Sequence, residues 1–177
     1  CNADQRYYQG LRAEAVLKKK LPMALIHEGI GRVIYDPTGH FKQGTLVVMI
    51  PNTPVEQDEI IAENYLRSSK FRASGFDGFM QEYVSMEPDR LVVLPEDINL
   101  SVAAFTEIVS VSYHAIQRFL RFSHERRNVI GVWGDGNLGY ITSLLLKKLL
   151  PDTKVCVFGV NEYKLNDFSF VDDTYLV

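Results

Sequence analysis

Cysteine is scarce. Two residues, at positions 1 and 156, exclude a disulfide framework, and no C-x-x-C pair exists. Basic residues are not in excess either: 19 Lys and Arg against 22 Asp and Glu give a net charge of −3. That balance leaves no electrostatic footprint for a nucleic-acid partner and no basic face for an anionic membrane. No apolar run reaches the roughly 18 residues a spanning helix needs, and the start carries no signal-peptide pattern. A reducing, cytoplasmic setting is the expectation. Hydrophobic residues make up 46% and charged residues 23% of the chain, which excludes the disordered and membrane classes. The 177 residues suit one domain or parts of two. There is no internal repeat and no low-complexity tract.

What is present is concentrated in residues 128–150, NVIGVWGDGNLGYITSLLLKKLL. An apolar β-rich run feeds Gly134-Asp135-Gly136-Asn137-Leu138-Gly139, and a helical pattern follows at once. G-x-G-x-x-G between a strand and a helix is the context of a dinucleotide site. The first glycine allows the tight turn, the second lets a pyrophosphate approach the backbone, and the third lets helix and strand pack closely. The helix start then offers N–H groups and partial positive charge to phosphates. The bland alternative is a glycine-rich strand–helix turn without a ligand.

Upstream, the pattern is different. Residues 1–20 are polar and mixed, and Lys18-Lys19-Lys20 reads as a solvated loop. From Met23 short β-rich runs alternate with turn signals: Ala24-Leu25-Ile26, Val33-Ile34-Tyr35, residues 46–50, 79–86 and 91–94. Several short strands at such spacing predict a small barrel or sandwich. Residues 55–75 read as an irregular polar lobe or a short helix. Residues 101–122 lack Gly and Pro and predict one or two helices, with Asn99 or Ser101 as N-cap. A second strand is expected over 154–160. A full dinucleotide-binding sheet has two βαβαβ halves, and only the beginning of one is here. The chain therefore reads as part of a longer protein, cut or disordered at both ends.

Cys1, His27 and Glu28 lie in or beside the β-rich half, and Glu107 lies in the apolar helical segment. Thiolate, imidazole and carboxylate are zinc ligands, and a catalytic site keeps one position open. Spacing alone is weak here, because there is no H-E-x-x-H. His27 reads equally as a hydrogen-bonded core histidine and Glu28 as a salt-bridged carboxylate. Glu107, amid Ala103-Ala104-Phe105 and Ile108-Val109, would be costly to bury unpaired and calls for a metal, a cation or a hydrogen-bonding network. His40 and His124 read as exposed. His114 stands seven residues beyond Glu107 and suits core or capping duty. Cys156 alternates within a strand as a small apolar residue.

The order of motifs resembles the zinc-dependent medium-chain dehydrogenases/reductases. It runs Cys1-Asn2-Ala3-Asp4, His27-Glu28-x-x-Gly31, Phe41-x-x-Gly44, Gly78-Phe79-Met80-Gln81-Glu82-Tyr83, Ala103-Ala104-Phe105-Thr106-Glu107, then the glycine turn. The resemblance implies an α/β chain with a β-rich part. A GroES-like β-barrel catalytic domain over residues 1–109, lacking its first strands, would precede the first part of a Rossmann doubly wound parallel sheet over 110–177. It implies zinc at Cys1, His27 and an acid, with Glu28 and Glu107 as alternatives, one ligating directly and one through water. Asp4 matches an acid that orients such a site. Two departures matter. Ala3 stands where the family usually has a Ser or Thr relay hydroxyl, so a proton must travel through water or another group. Residues 50–78 hold no cysteine, so a second, structural zinc is not expected.

In the cofactor domain, an acid at the end of the second strand suits the ribose hydroxyls of NAD, whereas room for a phosphate beside a cation suits NADP. Gly159 occupies that place and Asn161 and Lys164 follow. NADP(H) is therefore expected over NAD(H), bound by Gly134, Gly136, Asn137, Leu138, Gly139, Gly159 and Lys164. Residues 1–10 (CNADQRYYQG), the cysteine-free PNTPVE and GFDGFMQEY resemble in particular the ribulose-5-phosphate reductases of CDP-ribitol synthesis, which serves teichoic acid and capsule. The implied reaction is NADPH-dependent reduction of D-ribulose 5-phosphate to D-ribitol 5-phosphate. The alternatives are another zinc-dependent alcohol or polyol dehydrogenase, or a non-catalytic nucleotide-binding protein on the same fold. Arg67, Lys70 and Arg72 are candidates for a substrate phosphate, against the plainer reading of a solvated basic face. The resemblance also implies a homo-oligomer in full-length form, and the segment alone is expected to be inactive.

Overall fold

A computed structural model of the chain describes residues 2–177, the side chain of Glu63 excepted. The chain divides into two compact units, the first ending at Glu107 and the second spanning Ile108–Val177.

The first unit opens with two short helices, α1 (Asn2–Tyr8) and α2 (Glu14–Lys20). Lys18, Lys19 and Lys20 form the last turn of α2, not the loop expected of a charge run. Lys18 pairs with Glu14 one turn earlier at 2.6 Å, and cations at a helix C-terminus oppose the negative end of its dipole. The core of the unit is a three-stranded antiparallel sheet, β1 (Ile30–Arg32), β2 (Leu46–Met49) and β5 (Leu91–Val93), with β2 central. All four residues of β2 are buried, as a β-branched apolar strand covered on both faces should be. Ile30 faces Val48 and Val47 faces Val93 in register. Leu46, Val48, Leu94 and Ala103 make the core, with Ile30 and Ile98 against it. Burying a Leu or Val there stabilises the unit by about 1.5–3 kcal/mol.

A two-stranded ladder, β3 (Asn52–Thr53) with β4 (Lys70–Phe71), flanks a 3-10 turn in the polar lobe. Residues 79–86 are not a strand. The backbone at 78–80 bonds to Ala24, Leu25 and Ile26 and then leaves without a further partner strand. The helical segment is split into α3 (Leu100–Ala103) and α4 (Thr106–Phe122). Asn99 caps α3, its side chain accepting from the N–H groups of Ser101 and Val102.

The second unit is a parallel sheet, β6 (Val129–Trp133), β7 (Lys154–Gly159) and β8 (Asp173–Leu176), in the order β6-β7-β8. The connections are α5 (Asn137–Leu149) and α6 (Glu162–Leu165). In chain terms this is the 3-2-1 half of a doubly wound sheet. Ile130 and Val155 pack on Ile116 of α4 and Leu146 of α5, and Val157 packs on Leu165 and Phe168. Cys156 is buried as expected, though not by alternation: Val155, Cys156 and Val157 are all buried, because the central strand of this sheet is covered on both faces. Asp172 ties the sheet together, accepting from the Val155 N–H at 2.7 Å and pairing with Lys147 at 2.9 Å. Its carboxyl is held below the usual range first by the Val155 N–H and then by Lys147. Trp133, Phe158 and Tyr175, register partners across the three strands, stack in a row with centroids 4.6 and 5.0 Å apart. Among the described residues no helix is long and apolar enough to cross a membrane.

Candidate metal centre and dinucleotide turn

In the first unit, His27 and Glu28 sit on a segment held from two sides. The Asp4 carboxylate, on α1 and 6% exposed, accepts from the Ile26 N–H at 2.9 Å. Asp77 accepts from the Ala24 N–H at 2.7 Å, and Phe79 N–H donates to the Ile26 carbonyl at 2.6 Å. A side chain at Gly78 would collide with the carbonyls of Ile26 and Leu25, so only glycine permits this approach. Ile26 itself adopts φ 68°, a strained value for a β-branched residue, and the bonds on either side hold it there. The consequence is a fixed projection of His27.

The His27 ring lies edge-on to Phe71, 5.0 Å between centroids. Its Nε2 is 3.8 Å from Glu28 Oε1, with the two side chains 18% and 14% exposed. Ligand atoms of Asp4, His27 and Glu28 all lie within 4.8 Å of one another. Glu107 belongs to the same electrostatic neighbourhood. Its carboxyl is pushed above the usual range, first by desolvation and also by the Glu28 charge, while His27 acts in the opposite sense. One imidazole among carboxylates, partly withdrawn from water, fits a divalent cation of the zinc type. Cys1, expected as a further ligand, lies outside the described residues. Asp4 was expected only as an orienting acid. The structure places it in the cluster and, at the same time, on the Ile26 peptide.

The remaining titratable candidates fall elsewhere. His40 bonds to the Thr38 hydroxyl in an exposed turn, and His114 and His124 are exposed. Arg67 and Lys70 are exposed. Arg72 is not a solvated cation. It donates to the carbonyls of Asp77 and Ser85 at 3.1 and 3.0 Å and packs over the Phe76 and Phe79 rings. Lys70 and Arg72 line a cleft of about 630 Å³ with Phe71 and Arg90.

In the second unit the three glycines of the turn have different surroundings. Gly134 adopts φ 134°, and its N–H donates to the Phe158 carbonyl at 2.8 Å, fixing the turn to β7. A Cβ at Gly139 would strike the Gly134 carbonyl, so close packing of helix on strand demands glycine. A Cβ at Gly136 would meet nothing within 4 Å. That open side of the backbone leaves room for a group to approach the main chain. Gly136 is also the N-cap of α5 and supplies no side-chain cap to the first-turn N–H groups of the helix.

Composition and spacing did not reveal the part played by Asp135. Its Oδ2 accepts from the N–H groups of Val160 and Asn161, at 2.8 and 2.7 Å. These bonds cross from the glycine turn to the segment after β7. They hold the Asp135 carboxyl below its usual range, led by the Asn161 N–H. The only signal in the sequence was an acid at an unrestricted position of the motif.

A short-stranded antiparallel unit with a His–carboxylate cluster, joined to a parallel sheet opened by a glycine turn, defines the medium-chain class of dehydrogenases/reductases. The Alcohol dehydrogenase GroES-like domain family matches residues 1–96, and the chain belongs to it. Over its whole length the chain is 64% identical to Ribulose-5-phosphate reductase of Bacillus spizizenii and 63% identical to Ribulose-5-phosphate reductase 2 of Staphylococcus aureus, covering 52% of each. The chain thus spans about half the length of the curated relatives it matches. It is also similar to the crystal structure of S. aureus TarJ in complex with NADPH, with TM-score 0.78 and 51% identity over 100% of this chain and 48% of that one.

Proposed function

We propose that the protein to which this chain belongs is a zinc- and NADPH-dependent reductase that converts D-ribulose 5-phosphate to D-ribitol 5-phosphate, in the cytoplasm, for CDP-ribitol and teichoic acid or capsule synthesis. Residues 1–109 form its catalytic domain and residues from 110 onward its cofactor domain. The carrying observation is the identity of more than 60% over 177 residues to two proteins named ribulose-5-phosphate reductase, together with the His27–Glu28 cluster and Glu107 in its electrostatic neighbourhood. The NADPH-bound relative supports the cofactor.

His27, Glu28 or Glu107, and Cys1 would hold the zinc. Zinc supplies Lewis-acid polarisation of a carbonyl and NADPH supplies the hydride. The chain's own residues do the rest. Phe71 and the Ile26 peptide fix the angle of the imidazole, and Asp4 fixes that peptide. Gly136, with the N–H groups of Asn137, Leu138 and Gly139, receives the pyrophosphate. Gly159 leaves the end of β7 bare, and Lys164 stands close enough to Asp135 to act on its charge, a cation available to the adenosine phosphate. Ala3 offers no hydroxyl, so proton delivery runs through water or another group. Homo-oligomerisation of the full-length enzyme belongs to the same reading.

The test is a panel on the full-length enzyme, D-ribulose 5-phosphate with NADPH or NADH, and sorbitol and xylitol with NADP+ or NAD+, with metal content measured alongside. Turnover confined to ribulose 5-phosphate with NADPH and one zinc per chain is expected. Preference for an unphosphorylated polyol would favour a general polyol dehydrogenase. Full activity of a zinc-free Cys1→Ser enzyme would overturn the metal assignment.

A further inference from the structure

The glycine turn and the end of β7 are bound to each other by one side chain. Oδ2 of Asp135 accepts two consecutive main-chain N–H groups, those of Val160 and Asn161. The same side chain, with Leu165, fills the space beside Gly159: a Cβ there would stand 2.7 Å from Asp135 Cβ, 2.8 Å from its Oδ2 and 2.8 Å from Leu165 Cδ2. Position 159 therefore cannot carry a side chain without displacing Asp135 and Leu165. The chain continues through Asn161, whose own side chain accepts from the Lys164 N–H at 3.2 Å. Val160 and Tyr163 are 78% and 82% exposed, so the outer surface of this segment is open.

Resting on the NADPH reading above, we propose that Asp135 is a positioning residue for cofactor selection. Its carboxylate latches residues 160–161 to the glycine turn, keeps position 159 bare, and thereby holds Lys164 where the adenosine phosphate of NADPH arrives. Two parallel readings of the same carboxylate compete. As the acid that binds ribose hydroxyls it would favour NADH and repel a phosphate. As a latch it is satisfied by main-chain donors, and its charge lies within reach of Lys164. Two donors on a single oxygen are the stronger claim, because charge-assisted bonds to backbone N–H groups exceed neutral ones.

The experiment measures Kd for NADPH and for NADH on the zinc-loaded full-length enzyme, by cofactor fluorescence. The variants are Asp135→Ala, Asp135→Asn, Gly159→Ala and Lys164→Ala. Asp135→Ala, Gly159→Ala and Lys164→Ala are each expected to weaken NADPH binding about tenfold or more while NADH changes by less than about twofold. Asp135→Asn keeps an acceptor oxygen and is expected to stay within about threefold of the parent. Equal losses for both cofactors would overturn the selective role, and so would tighter NADPH binding by Asp135→Ala. If the parent enzyme itself prefers NADH, the NADPH reading fails separately. Amide exchange at 160 and 161 then decides the latch: faster exchange in Asp135→Ala retains it, and unchanged exchange removes it.

Discussion

In the parallel unit the residues that would cradle a pyrophosphate occupy six consecutive positions, 134–139. In the antiparallel unit Asp4, His27 and Glu28 come from two separate segments, with Glu107 near them electrostatically. The first arrangement is built by local geometry. A strand ends, a glycine takes φ 134°, and a helix begins. The second is built by tertiary contacts: Gly78 pressed against the carbonyls of Leu25 and Ile26, Asp4 on the Ile26 peptide, and Phe71 on the His27 ring. Local sites tolerate change in distant segments. Assembled sites inherit the fragility of every segment that meets in them.

The largest effect that would test this contrast is at His27. His27→Ala in the full-length enzyme is expected to lower turnover by about a hundredfold or more and reduce zinc content, with NADPH affinity unchanged. A parallel loss of NADPH binding would show that the two sites are not independent.

Two glycines sharpen the comparison within the parallel unit. Gly139→Ala drives a Cβ into the Gly134 carbonyl and is expected to cost about 1–3 kcal/mol in urea unfolding, along with cofactor binding. Gly136→Ala meets open space and is expected to leave stability within about 0.5 kcal/mol while weakening NADPH binding. Similar unfolding midpoints for the two variants would contradict the division of duties. In the antiparallel unit, Asn99→Ala removes the cap of α3 and is expected to cost about 1 kcal/mol, again read by urea unfolding.

The smallest effect is one of pH. The Asp36 carboxyl accepts from the Thr38 hydroxyl and from the N–H groups of Phe41 and Thr38, which lowers it from 3.8 to about 2. A depressed carboxyl favours the fold above its unfolded value, and that contribution fades as pH falls from 3.8 towards about 2. Amide exchange at Thr38 and Phe41, corrected for intrinsic rates, is expected to lose protection over that window. Asp36→Asn should remove the pH dependence.

Legibility followed the same division. The β6–turn–α5–β7 order and the Asn99 cap could both be read from spacing, because each depends on neighbours in sequence. Residues 79–86 carried a strand-like pattern but have no partner strand along them, and pairing, not propensity, makes a strand. The lysines of α2 looked like a solvated loop because their helix rests on an i,i+4 ion pair and end charges, with no buried face. Arg72 looked like a free cation because the carbonyls and rings that take it up belong to the irregular segment after β4, where spacing predicts no geometry. Asp135 bonds 25 and 26 positions downstream, a distance over which one sequence gives no signal.

The row of Trp133, Phe158 and Tyr175 makes the parallel unit optically distinct. Trp133 is the single tryptophan in these 177 residues, and it is 74% exposed while stacked at 9° to Phe158. A ring held in one orientation beside two others gives a near-ultraviolet circular dichroism band that vanishes when β6 and β7 part. It also immediately precedes Gly134, and indole emission overlaps the absorption of a reduced nicotinamide. One indole would thus report both the pairing of two strands and, on the proposed reading, the binding of a reduced cofactor, with no label added.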